Sequence, residues 1–138
     1  MAIKTLTLKQ SAEKGVDVAI LHPTTGLPLG ITVVVCGSDS ETFRAINRKQ
    51  LNRKLEQQQK QRNRQGAMTA EVLEVESMDV LVACTKSWRT GDRNQIEFDD
   101  NEWLECTAEN VRRMYEELPW LKEQIDQEIG DRNNFLQK

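Results

Sequence analysis

Apolar positions first gather into two dense β-branched runs, Val16-Asp17-Val18-Ala19-Ile20-Leu21 and Ile31-Thr32-Val33-Val34-Val35-Cys36, separated by Pro23-Thr24-Thr25-Gly26-Leu27-Pro28-Leu29-Gly30. Turn formers between two such runs predict a β-hairpin, with Val16, Val18, Ile20, Ile31, Val33 and Val35 sharing one face. A lone hairpin is marginal in water, so that face is expected to lie on helices. Residues 1–14 alternate only weakly and predict no definite element.

Beyond Gly37 the spacing changes to that of helices. Ser38 and Glu41 have the separation of a capping box. The helix they open carries Phe43, Ile46, Leu51 and Leu55 as its large apolar residues, then turns into a Gln- and Arg-rich run up to Gln65. Such a helix is expected to pack at its base and project at its outer end, because little apolar surface holds the last turns. Thr69 is placed to cap a second helix from Ala70 to Trp88. Leu73, Ser77, Val80, Leu81, Cys84 and Trp88 would form its stripe, widened by Val72, Val75, Met78 and Val82 into a central core helix. Arg89-Thr90-Gly91-Asp92 reads as its last turn and glycine stop.

A short extended piece, Ile96-Glu97-Phe98, follows. Thr107 then caps a third helix that buries Ala108, Val111, Met114, Tyr115 and Leu118. Pro119 suits the first position of a fourth helix, where its missing N–H has no intrahelical acceptor to lose. Leu121, Ile125 and Ile129 recur every four residues there, with Trp120 and Gln124 on the flank. Phe135-Leu136 sets two large apolar residues close behind, so this segment is expected to dock on its own domain or on a neighbouring copy.

The pattern as a whole predicts an α+β fold: an N-terminal β-hairpin packed on a mainly α-helical domain of about four helices, one of them long and basic. At 138 residues a single domain is expected, with a hairpin region at 1–37, a basic projecting helix at 38–66 and an acidic helical region at 67–138.

Charge sharpens this division. The net charge of −3 hides +5 in residues 38–66, which hold 8 basic and 3 acidic side chains, and −9 in residues 67–138, which hold 8 and 17. One half of a molecule can thus attract the other half of a second copy. The basic helix has three open readings: a solvated face, a contact with the acidic half of another copy through Arg48, Arg53 and Arg62, or a phosphate-binding surface for nucleic acid. The scarcity of aromatic residues on it and a pI of about 5.3 argue against nucleic acid.

Candidate chemistry is sparse. The cysteines, Cys36, Cys84 and Cys106, are odd in number and far apart, which suits small buried hydrophobes in a reducing compartment better than a disulfide framework or metal site. His22 is the single histidine and precedes a proline in a turn. No glycine-rich phosphate loop, nucleophile elbow or HExxH pattern occurs, and the carboxylates sit in capping or exposed contexts. The expectation is a chain with no catalytic residues, cofactor or metal. No apolar run approaches the roughly 20 residues that span a bilayer, and no signal-peptide core opens the chain, so a cytosolic location is expected. Of the three tryptophans, Trp88 falls on the helical stripe, whereas Trp103, read as a loop residue, and Trp120, at a helix junction, are candidates to face a partner.

Several of these features occur together in one known family. Gly26-Leu27-Pro28-Leu29-Gly30-Ile31-Thr32-Val33 between strands, Ser38-Asp39-Ser40 before a basic Gln-rich helix, Trp88, and above all Pro119-Trp120-Leu121-Lys122-Glu123-Gln124-Ile125-Asp126 followed by Asp131-Arg132-Asn133-Asn134-Phe135 resemble the tail assembly chaperones of long-tailed bacteriophages and prophages. The resemblance implies a protein of the host bacterial cytoplasm that coats the long tape measure protein, keeps it in solution and helps recruit tail tube subunits, without staying in the mature virion. A coat for a long rod needs a small protomer that repeats, and opposite charges on the two halves of one molecule suit head-to-tail contacts, so a homo-oligomer, a ring or an open spiral, is expected. From the residue pattern itself, Trp120, Leu121, Ile125 and Phe135 are candidates for docking the C-terminal helix, and Arg48, Arg53 and Arg62 for charge contacts between copies. A nucleic-acid-binding accessory protein and a permanent structural tail component are the alternative readings.

Overall fold

The computed structural model describes residues 3–60 and 70–131. In chain order they form a 3-10 turn (Ile3–Leu6), helix α1 (Lys9–Lys14), strands β1 (Val16–Leu21) and β2 (Pro28–Val35), and helices α2 (Glu41–Lys60) and α3 (Ala70–Cys84). Strands β3 (Thr85–Thr90), β4 (Gln95–Asp99) and β5 (Glu102–Glu105) come next, then helices α4 (Ala108–Glu117) and α5 (Pro119–Gly130). The fold is α+β as its patterning predicts, with three strands beyond the N-terminal hairpin.

That hairpin pairs Val16 with Val35 and Val18 with Val33. Val18, Ile20, Val33 and Val35 are buried while Asp17, Ala19 and Leu21 face out, as a sheet with one solvated face requires. Strand β3 then joins β2 antiparallel, giving the order β1-β2-β3. Trp88 stands opposite Val33 and is buried on the same face. Its indole Nε1–H donates to the Leu104 carbonyl at 2.9 Å, tying this sheet to the separate β4–β5 hairpin.

The helix expected to run to Trp88 therefore stops at Cys84. In a continued helix the Cys84 carbonyl would accept the Trp88 N–H; here it accepts the Cys36 N–H at 2.9 Å. Thr85 Oγ1 donates back to the Leu81 carbonyl at 2.8 Å, and this β-branched residue opens a strand in place of another turn. Arg89-Thr90-Gly91-Asp92 is correspondingly not a helix end. It leads into the tight turn from β3 to β4, where Thr90 and Arg93 exchange backbone hydrogen bonds of 2.8 and 3.0 Å around Gly91, whose φ is 58°. Ile96, Glu97 and Phe98 lie within β4, and Trp103 sits in β5 opposite Glu97, so it is a strand residue.

The helix starts are specific. Ser40, not Ser38, caps α2: its Oγ accepts the Phe43 N–H at 3.1 Å and donates to the Gly37 carbonyl at 2.6 Å. Thr107 caps α4 as expected, accepting the Asn110 N–H at 3.2 Å. Thr69 lies outside the described residues. Leu118, held at φ −123° and ψ 77° by the proline that follows, closes α4 through its N–H to the Met114 carbonyl at 3.0 Å, and Pro119 opens α5. Gly15 turns α1 into β1 with φ at +91°. A Cβ there would stand 2.9 Å from the Val35 carbonyl oxygen, so only glycine fits.

The core is the inner face of the three-stranded sheet, covered by Met78 and Leu81 of α3, Val111, Met114 and Tyr115 of α4, and Leu121, Ile125 and Ile129 of α5. Ala108, expected inside, is exposed at the start of α4. Helix α5 also guards a sheet edge. The Gln124 amide accepts the Leu21 N–H at 3.1 Å and donates to the Leu21 carbonyl at 2.8 Å, as a neighbouring strand would. Unpaired edges invite other chains. Gln124→Ala should cost about 1 kcal/mol in stability and should also turn β1 into a pairing site, read as light scattering that rises with protein concentration. Unchanged melting and scattering would deny the edge contact that role.

Candidate interaction surfaces

Helices α2 and α3 run antiparallel and are fastened at mid-length. Gln50 is buried and its Nε2 donates to the Glu76 carbonyl at 2.8 Å; one turn on, Lys54 Nζ lies 3.3 Å from Glu76 Oε2. Below this fastening the helices meet the core through Phe43 on α2 and Met78 and Leu81 on α3. At and above it, Leu51 and Leu55 of α2 and Val72, Leu73 and Val75 of α3 stay 42 to 56% exposed. The apolar breadth of α3 that suggested a wholly buried helix thus holds for its second half only. Each half-exposed leucine or valine forgoes about 1 kcal/mol of burial, and exposed large apolar residues gathered at one end of a helix pair are candidates for contact with a partner. Its flanks differ in charge: Arg44, Arg48, Lys49 and Arg53 are exposed on α2, and Glu71 and Glu74 on α3.

Of the contact candidates read from the sequence, Arg48 pairs with Glu41 at 2.5 Å on the surface and Arg53 is exposed. Trp103 is half-buried under the Arg93 guanidinium, 3.8 Å from the ring centroid. Trp120 is also half-buried and packs against the core. Leu121 and Ile125, at 4 and 0% exposure, lie inside the protomer. Their stripe closes this chain's own core, so in the folded protomer they present nothing to a neighbour. Arg62 and Phe135 lie outside the described residues. The exposed hairpin residues were missed as a surface because their helical spacing is that of core positions. The one signal was the Gln- and Arg-rich text around Leu51 and Leu55, which leaves no second apolar layer to cover them.

A cavity of about 470 Å³ opens between β3 and the β4–β5 hairpin, lined by Lys86, Trp88, Gln95, Glu105 and Cys106 among others. Burial pushes the Cys106 thiol up to about 11, so at neutral pH it keeps its proton and is a poor nucleophile. His22 holds its own turn together, Nδ1 accepting the N–H groups of Thr24 and Thr25 at 3.1 and 3.2 Å. Among the described residues no group of three His, Cys, Asp or Glu side chains is placed to hold a metal ion, and no helix is long and apolar enough to cross a membrane. Exposed at the surface are apolar residues at the outer end of α2–α3, the basic residues Arg44, Arg48, Lys49 and Arg53 of α2, and Glu116, Glu117, Glu123 and Asp126 of α4 and α5. Comparison of the chain with protein-family models, curated proteins and solved structures finds no match.

Proposed function

We propose that this chain is a noncatalytic assembly chaperone of the phage tail type, which holds apolar helical segments of a tape measure protein in solution and helps recruit tail tube subunits around it. The observation that carries the reading is the set of half-exposed apolar residues, Leu51, Leu55, Val72, Leu73 and Val75, at the outer end of two antiparallel helices. Apolar side chains left open on two paired helices offer a third helix a place to lay its own apolar face. The sequence resemblance to tail assembly chaperones supplies the partner, and the basic face of α2 set against the acidic face of α4 and α5 supports contacts between copies as a ring or spiral. On this reading the protein works in the host bacterial cytoplasm and leaves before the virion matures.

The test is co-expression with the tape measure protein of the same tail gene cluster, read as the fraction of tape measure protein that stays soluble. The native chain should raise that fraction several-fold. The triple variant Leu51→Glu, Leu55→Glu, Val75→Glu should not, although substitutions at exposed sites generally shift stability by no more than about 0.5 kcal/mol each. Equal yields with the native and variant chains would refute this contact. The exposed Arg44, Lys49 and Arg53 favour one second reading, phosphate binding by α2. It requires DNA or RNA gel shifts that weaken steeply between about 50 and 200 mM salt.

A further inference from the structure

Cys36 follows β2 directly and Cys84 ends α3, and the pairing of β2 with β3 sets them opposite each other. Val35 is paired with Thr85, so the next positions outward are Cys36 and Cys84, and the Cys36 N–H donates to the Cys84 carbonyl at 2.9 Å. Residues opposed in this way have Cα atoms about 4.5–5.5 Å apart, inside the roughly 4.4–6.8 Å that disulfides span. Both residues are wholly buried, and the two thiols hydrogen-bond each other. Either cysteine alone would be core filler. Two thiols in contact at the point where a helix becomes a strand are a reactive pair.

Helix α1 lies beside this pair. The Ala12 carbonyl accepts the Gly37 N–H at 2.9 Å, and Ala12 is itself buried. With six residues α1 is too short to be stable alone, so its tethers hold it. The Glu13 carboxylate accepts Thr42 Oγ1 at 2.6 Å and the Thr42 N–H at 3.1 Å, and Lys86 Nζ lies 3.8 Å from the same carboxylate. Few tethers hold this short helix, so its opening would be a local event at the end of β2.

We propose that Cys36 and Cys84 form a modification site, a dithiol that a peroxide converts to an intrachain Cys36–Cys84 disulfide when α1 lifts. The Cys36 thiolate attacks one peroxide oxygen; an S–O bond forms, the O–O bond breaks, and the departing hydroxide takes up the proton that Cys36 released. The Cys84 sulfur then attacks the Cys36 sulfenic acid. An S–S bond forms, the S–O bond breaks, and a second water leaves with the Cys84 proton. Two electrons pass from the two sulfurs to the peroxide. The division of roles follows from position: Cys36 adjoins Gly37, whose N–H is tethered to Ala12 of α1, so lifting α1 acts first on Cys36; the contact with Cys84 also draws the Cys36 thiol below its ordinary value, whereas that contact and burial raise the Cys84 thiol. The product closes the loop that contains α2 and α3, stapling the base of that hairpin to the sheet.

The full-length chain treated with hydrogen peroxide, then unfolded and alkylated, should lose the mass of two hydrogen atoms and take up label at Cys106 alone. Peptide mapping should recover the Cys36 and Cys84 peptides joined. Cys84→Ser should stop at a sulfenic acid on Cys36 that dimedone traps, and Cys36→Ser should form no disulfide. Glu13→Gln, which loosens α1, should speed oxidation about tenfold. Full labelling of all three thiols after peroxide, a disulfide that includes Cys106, or a Cys36–Cys84 disulfide formed only after denaturation would each overturn the proposal. None of these outcomes bears on tape measure binding, which has its own readout.

Discussion

The Leu121→Asp chain is expected not to fold. Leu121 sits at 4% exposure among Ile125, Ile129 and the sheet residues they cover, and the buried polar residues identified are Ser40, Gln50 and Thr85, none of them a cation that could receive a carboxylate. Losing the leucine costs about 3 kcal/mol, and placing an unpaired charge or a neutralised acid there costs several more. An ordinary domain has only about 5–15 kcal/mol to lose. Far-UV circular dichroism and tryptophan emission should report an unfolded chain at any protein concentration. A variant with native spectra and native melting that merely failed to assemble would instead mean that the α5 stripe faces a neighbouring copy.

Alkali should unfold the native chain through Tyr115. This is the only tyrosine in the sequence, so tyrosinate absorbance follows one side chain. Its hydroxyl lies 2.6 Å from Thr85 Oγ1, and because Thr85 donates to the Leu81 carbonyl, the phenol is the donor in that contact. Burial raises the phenol well above its ordinary value near 10. The folded state therefore keeps a proton that the unfolded state loses. Stability is intact below about pH 10 and falls by about 1.4 kcal/mol per pH unit above it. Cys106, pushed up to about 11, acts in the same direction from about pH 9. Absorbance and loss of circular dichroism should rise together, and Tyr115→Phe should delay the unfolding. A reversible tyrosinate titration centred near pH 10 in a chain that keeps its native dichroism would show the phenol to be accessible.

The parts legible in the sequence are those where local pattern and tertiary demand agree. Alternation in β1 and β2, the Thr107 cap, Pro119 at a helix start and the Leu121, Ile125, Ile129 stripe all follow from short-range spacing that the core then uses. Trp88 misled because it stands four residues beyond Cys84, in phase with the helix. A bulge between Val34 and Val35 shifts the pairing of β3 and erases the two-residue alternation that would have marked it as a strand. Trp103 and Arg93 lie ten residues apart in sequence and meet only because β4 and β5 fold back on each other. Leu51 and Leu55 carry the spacing of core residues yet remain outside. Periodicity gives the face a side chain occupies and not whether anything covers it.

Helix α3 passes into β3 with no residue between, Cys84 ending one and Thr85 beginning the other. Fifteen residues make a rod about 22 Å long, hinged to nothing flexible at its inner end. At that joint the Cys84 carbonyl is bonded to β2 through Cys36, and Thr85 is bonded to α4 through Tyr115. A sideways load at Leu73 or Val75 thus reaches the sheet and α4 as torque about the Cys84–Thr85 bond. The hairpin is mechanically a lever whose fulcrum is the core itself, and whatever seats on its outer end is felt there without slack.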